Sequence, residues 1–256
     1  RTGTLLLDPK NITIGSSSND LSGSVTFVAP VNGSGNSTIA ASTINSTLSA
    51  GTNVVLQANN DITVSTAITA ANAGGAGGAL IMLAGRSILI NANITTDDGA
   101  LTLTANDTLA NGVVDAQRDS GAAVITMKTS GSGTTINTGA GTFTATISAG
   151  ADKTNDASGD ITLSSVTAGS LVVANSGPTS GSDILDTGVL TIAGTSSFTT
   201  SVSNAVITLD SANAFTGAVT LNTTGSSGNA TIDNGTTALI IAQSSVGGNL
   251  TLTSGH

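Results

Sequence analysis

The sequence predicts an all-β chain wound as a parallel β-helix, with about 20 residues to the rung. Three observations carry that expectation. Apolar residues recur in pairs two positions apart along the chain, the period of a half-buried strand. The strands so marked are very short, and only 2% of residues are aromatic, with no Trp or Tyr. The segments also echo one another: Ala79–Ala84 aligns with Ala100–Ala105. A sandwich or antiparallel barrel needs longer strands, hairpins and bulky residues in a thick core. A narrow coil filled by stacked Ile, Leu, Val and Ala needs none of these.

The strands are justified in chain order by their inward pairs. They begin with Ile12/Ile14, Ile62/Val64, Leu80/Met82, Ile88/Ile90 and Leu101/Leu103. Ile125/Met127, Ile161/Leu163, Leu171/Val173, Leu190/Ile192 and Ile207/Leu209 continue the series, and Val219/Leu221, Leu239/Ile241 and Leu250/Leu252 end it. Small or β-branched residues lie between the members of most pairs, which suits a pleat. Turn signals separate them, among them Asn32-Gly33, Asp98-Gly99, Asn111-Gly112 and Asp233-Asn234-Gly235. Asn60–Ser65 resembles Gly159–Ser164, and Ala123–Lys128 resembles Ala205–Asp210. About 13 such rungs at ~4.8 Å would make a rod near 60 Å long. Phe143, Phe198 and Phe215 are expected to fill local bulges in the core, and Gly and Asn to take left-handed backbone at corners. One segment spans 1–256. Its clearest repeats are at 1–110, irregular rungs with longer loops at 111–187, and a second repeat-rich stretch at 188–256. Arg1 and the strand that ends near His256 read as the ends of an internal fragment of a longer chain.

Composition excludes other classes. Fifteen acids, all Asp, face six bases for a net charge of -9, and only 8% of residues are charged. A nucleic-acid partner would need a basic face and stacking aromatics. A helical bundle would need Glu, Lys and Leu in quantity. Apolar content of 38% is too high for disorder. The absence of cysteine excludes disulfides and thiolate metal sites.

Thr4–Ile14, Val54–Val64 and Leu83–Thr95 with Gly99–Thr104 resemble segments of filamentous-haemagglutinin-like repeat adhesins, which are two-partner-secreted surface proteins of Gram-negative bacteria. The likeness covers about residues 1–110 and, more loosely, 188–254. It implies a right-handed β-helix that forms the shaft of a large surface protein, exported through an outer-membrane secretion pore. The amino-terminal Asn-Pro-Asn-Leu type motif of that family and an Arg-Gly-Asp tripeptide do not occur.

Candidate chemistry is thin. The acidic groups are Asp97-Asp98, Asp115/Asp119, Asp152/Asp156/Asp160 and Asp183/Asp186. A glycosidase needs two carboxylates across a cleft and usually an aromatic platform; a lyase needs a base on an acidic sugar, and three Lys and three Arg lie far apart in sequence. Most of these Asp neighbour Gly, Asn or Ser and read as turn formers. Asp152, Asp156 and Asp160 are the weak metal candidates, by their spacing in a loop. Gly74–Leu80 has the glycine of a calcium β-roll, but Ala79 stands where the roll has its Asp ligand. Outward Thr102/Thr104, Thr142/Thr144/Thr146 and Thr251/Thr253 suggest an ice-binding array, although most strands show one outward Thr. Ten Asn-X-Ser/Thr sequons (at Asn11, Asn32, Asn36, Asn45, Asn93, Asn106, Asn222, Asn229, Asn234 and Asn249) fit the composition.

The expectation is therefore a non-catalytic shaft of a secreted cell-surface adhesin or extracellular matrix filament, of the kind found in biofilms. It needs no cofactor and no catalytic residue. Its expected partners are copies stacked end to end or flanking repeats, and host or matrix glycans. The alternatives are a polysaccharide-binding or polysaccharide-degrading β-helix and an ice-binding solenoid.

Overall fold

A computed structural model describes residues 9–17, 35–131 and 133–255. The turn at Asn32-Gly33 with its sequon, the first residues of the Thr4–Ile14 segment, and His256 lie outside the described residues.

Among the described residues every strand pairing is parallel, and the strands stack into three sheets of ten, six and seven. Each rung visits the three in a fixed order. A strand of the first sheet such as Ile88–Ile90 leads to one of the second, Ile94–Thr95, then one of the third, Leu101–Ala105. The protein is a parallel β-solenoid. At ~4.8 Å per strand, ten strands make a first sheet about 43 Å long. That is shorter than the rod expected from the sequence, because each rung takes up more chain than the spacing of the inward pairs suggests.

Stacking like on like builds the core. Ile12, Ile62, Ile88, Ile125, Ile161, Ile184 and Ile207 lie in register in seven successive rungs of the first sheet, each almost or wholly buried. The same register gives the pitch. Asp183 follows Asp160, and Val206 follows Asp183, by 23 residues. The column positions Ile161, Ile184, Ile207 and Ala230 share that spacing. Earlier in the chain Val124 follows Ser87 by 37 residues. Ile125 lies as far beyond Ile88, and Ile161 almost as far beyond Ile125.

The phenylalanines occupy ordinary column positions rather than bulges. Phe143 stacks between Leu101 and Leu171, and Phe198 between Val173 and Leu221. Phe198 and Phe215 meet edge to face at 5.8 Å and 79°.

At the corner entering the third sheet, some glycines serve close approach rather than left-handed backbone. A Cβ at Gly99 would stand 2.2 Å from the Gly78 carbonyl oxygen, and one at Gly217 2.2 Å from that of Gly194. Left-handed backbone occurs at this corner on Asp97, Asp98 and Gly139, and at other turns on Asn106 and Asn204.

The amino end departs from simple winding. The stacking order there is Asn36–Ala40, then Asn11–Gly15, then Ile62–Val64, so the earlier strand is slotted inside the later one. Between Asn36–Ala40 and Val54–Ala58 a helix, Ala41–Ser49, takes the place of a second-sheet strand. It buries Ala41, Ile44 and Leu48. Its Asn45 and Ser49 side chains accept the N–H groups of Thr69 and Ala71 from the strand beneath.

Candidate functional site

The two longest insertions of the middle rungs emerge at one corner, where the third sheet hands over to the first. Residues 106–122 leave Leu101–Ala105 and carry two 3₁₀ turns, Leu109–Asn111 and Asp115–Gln117. Residues 148–157 leave Thr142–Ile147 one rung later. Together they form a lobe over the corner.

Four of the protein's six basic residues meet there, although they are scattered along the sequence: Lys10, Arg86, Arg118 and Lys153. Arg118 is buried and donates to the carbonyls of Gly85, Asp119, Gly121 and Ala157 at 2.9–3.2 Å, tying both insertions to the coil. Lys153 is buried beside it and donates to the Asp107 carbonyl. Burial, then repulsion from Arg118, lowers the Lys153 ammonium to about 8. Burial also lowers the Arg118 pKa.

Outside this lobe, the first-sheet surface holds a polar cleft of about 340 Å3. Asn11, Thr13, Asn36, Asn60, Asp61, Thr63, Arg86 and Asp119 line it. Arg86 grips Asp61 with both prongs, at 2.9 and 2.5 Å, and its third nitrogen donates to the Ser120 carbonyl. Asp119 accepts from Lys10 at 2.7 Å and from Asn60 at 3.1 Å. The Lys10 hydrogen bond holds the Asp119 carboxyl below the usual range, so it is anionic at neutral pH. Three amides connect the rungs: Asn11 donates to Asn36, and Asn60 donates to Asn11.

The same face carries a ladder in which an Asn, Asp or Ser just before a first-sheet strand accepts the N–H of its counterpart one rung later. Asn11 takes Asp61, Asp61 takes Ser87, and Ser87 takes Val124. Asp160 takes Asp183, Asp183 takes Val206, and Asn229 takes Asn249, at 2.7–3.0 Å. Beside it runs a threonine column: Thr38, Thr13 and Thr63, then Leu89, Thr126, Thr162 and Leu185, then Thr208, Thr231 and Thr251. The outward threonines of the first sheet thus align into one column, with two leucine gaps.

The acids marked in the sequence separate. Asp152 accepts the Leu109 N–H, Asp160 that of Asp183, and the Asp156 main-chain carbonyl accepts from Asn106. No three acids or histidines among the described residues are grouped to hold a metal. Asp97 accepts the Asn72 N–H from the rung before, and Asp98 the Ala140 N–H from the rung after. Asp186 lies at an inward position and accepts from Asp210, Ser211 and Asn213. Burial raises its pKa and that of Asp160. Several sequon asparagines have structural roles: Asn106 and Asn234 are fully buried, and Asn45 and Asn93 accept rung-to-rung N–H groups.

Sequence reasoning missed the cleft because its members are remote along the chain, Lys10 and Asp119 by 109 residues. The usable signal was the rarity of base: a chain with six cations keeps few of them idle.

A family model described as "Repeats of unknown function (DUF5649)" matches residues 149–222. That stretch contains the rungs of shorter, constant pitch, so the repeat character of the sequence and the stacking coincide. The comparisons with curated proteins and with solved structures give no match.

Proposed function

We propose that this solenoid is a rigid spacer in the shaft of a secreted surface adhesin or matrix filament, and that it performs no catalysis. The observation that carries the reading is the unbroken in-register column of isoleucines, reinforced outside by side chains bonded from rung to rung. Such a coil resists bending because each turn is fixed to the next by three sheets and by the ladder. The acids support the same reading, since most of those marked in the sequence are spent singly on backbone N–H groups and not paired with one another. In the cleft, Asp119 is held anionic and Asp61 is locked to Arg86, whereas a hydrolase needs one carboxyl kept protonated as a general acid. The resemblance to filamentous-haemagglutinin-like repeats adds the cell surface as location and an outer-membrane pore as the export route.

End-on stacking, with another copy or with flanking repeats, belongs to this proposal. Leu250 and Leu252 stand at core-facing register positions of the last first-sheet strand, over Ala230 and Ile232, yet both are more than 40% exposed.

Small-angle X-ray scattering tests the shaft. The expected result is a cylinder with a constant cross-section, and the longest dimension should grow in whole multiples if copies stack. A compact globule, or release of unsaturated or reducing sugars from a polysaccharide panel, would overturn the proposal.

A further inference from the structure

We infer that the cleft bounded by Asn36, Thr13, Thr63 and Asp119 binds a neutral saccharide of one or two sugar units by its hydroxyl edges. The inference is independent of the spacer reading.

Its volume, about 340 Å3, is at the lower end of the range that holds small organic ligands. Its lining is almost wholly polar, so a lipid or aromatic ligand would gain little by entering. Its charge cancels: Asp61 is matched by Arg86, and Asp119 by Lys10. An anionic ligand would have to pull Arg86 from Asp61, leaving a charge uncompensated at a partly buried place. A cationic one would have to share Asp119 with Lys10, like charge beside like charge.

A polyol meets no such cost. Thr13 and Thr63 are adjacent in the outward column and offer two hydroxyls about 5 Å apart. Among the described residues Asn36 donates from neither hydrogen of its amide nitrogen, and Asn36 is exposed. Asp119 keeps free lone pairs, with half its side chain in solvent. The planar groups around them are already fixed by mutual hydrogen bonds, so little ordering is lost on binding. No aromatic ring lines the cleft, so the sugar is read by its edges and binds weakly, with Kd about 1–10 mM.

The test is saturation-transfer NMR with titration of glucose, cellobiose and lactose, against glucuronic acid and glucosamine as charged probes. Thr63→Tyr fills the cleft and leaves both ion pairs in place. Thr208→Tyr places the same ring in the same column, three rungs past the lobe where the surface has no such wall. At least one neutral sugar should bind in the millimolar range, Thr63→Tyr should weaken it more than about tenfold, and Thr208→Tyr should leave it unchanged. Asn36→Leu, at an exposed position, should weaken binding severalfold and serves if the tyrosine variant does not fold. The inference is overturned if no neutral sugar saturates below roughly 100 mM. It also falls if Thr208→Tyr weakens binding as much, or if glucuronic acid or glucosamine binds at least as tightly.

Discussion

Two stretches of the same coil hold their turns together by different means. From Ile161 to Ala230 the pitch is constant, and the turns rely on stacked aliphatics, two phenylalanines and the carboxylate ladder. From Ile88 to Ile161 each turn takes up about half as much chain again. There the two longest surplus segments gather at one corner around a buried guanidinium and a buried amine. The lesson is that a solenoid accepts insertions where its corner can supply a polar core of its own. The isoleucine column runs through the difference, and the first sheet absorbs it with one register shift between Ala123 and Ile125.

The sharpest break should come in the regular stretch. Phe198→Ala removes half of the edge-to-face pair and opens a cavity, and should cost about 3–5 kcal/mol in denaturant unfolding. Because rungs couple mainly to their neighbours, hydrogen exchange should quicken from Val173 to Leu221 and leave Ile62–Ile90 protected. Arg118→Ala probes the other stretch. It should cost about 2–4 kcal/mol, since four carbonyls lose a charged donor. Exchange should rise across 106–122 and 148–157 while the rungs from Ile184 onward stay protected. Gly194→Ala should cost about 1–3 kcal/mol, because its Cβ would stand 2.5 Å from the Gly169 carbonyl oxygen. A smaller loss, about 1 kcal/mol, is expected of Asp183→Ala, which strips the partly buried Val206 N–H of its acceptor.

The two stretches should also answer differently to pH. Lys153 keeps its proton to 10.5 when unfolded but only to about 8 when folded. The cost of charging it is therefore present in full below pH 8, and stability should rise between about 8 and 10.5. Lys153→Met should flatten that rise. In the regular stretch Asp186 has its pKa raised above the ordinary 3.8 by burial. Stability should rise as pH falls through the raised value toward 3.8, and Asp186→Asn should remove that gain. Thermal melts across both ranges would check each.

The architecture was legible because stacking leaves a local mark. Ile161/Leu163 and Ile207/Leu209 look alike in sequence because they occupy the same place in different turns. The pitch was read short for a related reason. Successive inward pairs such as Leu171/Val173 and Leu190/Ile192 belong to the third and second sheets, so the interval between them measures neither rung nor repeat. The helix at Ala41–Ser49 had a signal in Ala41, Ile44 and Leu48, which fall on one helical face. It was hidden by Ser, Thr and Asn, residues that favour strands or turns when no tertiary partner intervenes. The cleft left no local mark, because Lys10, Asn60, Arg86 and Asp119 meet only after the rungs between them have closed.

The carboxylate and amide ladder of the first sheet gives the coil a direction. Each acceptor reaches toward the turn that follows it, never the one before, so a growing coil presents waiting oxygens on its newest face. A nascent turn arriving from the carboxyl side finds its docking points already set, whereas winding from the opposite end would meet amide hydrogens with nothing yet to receive them.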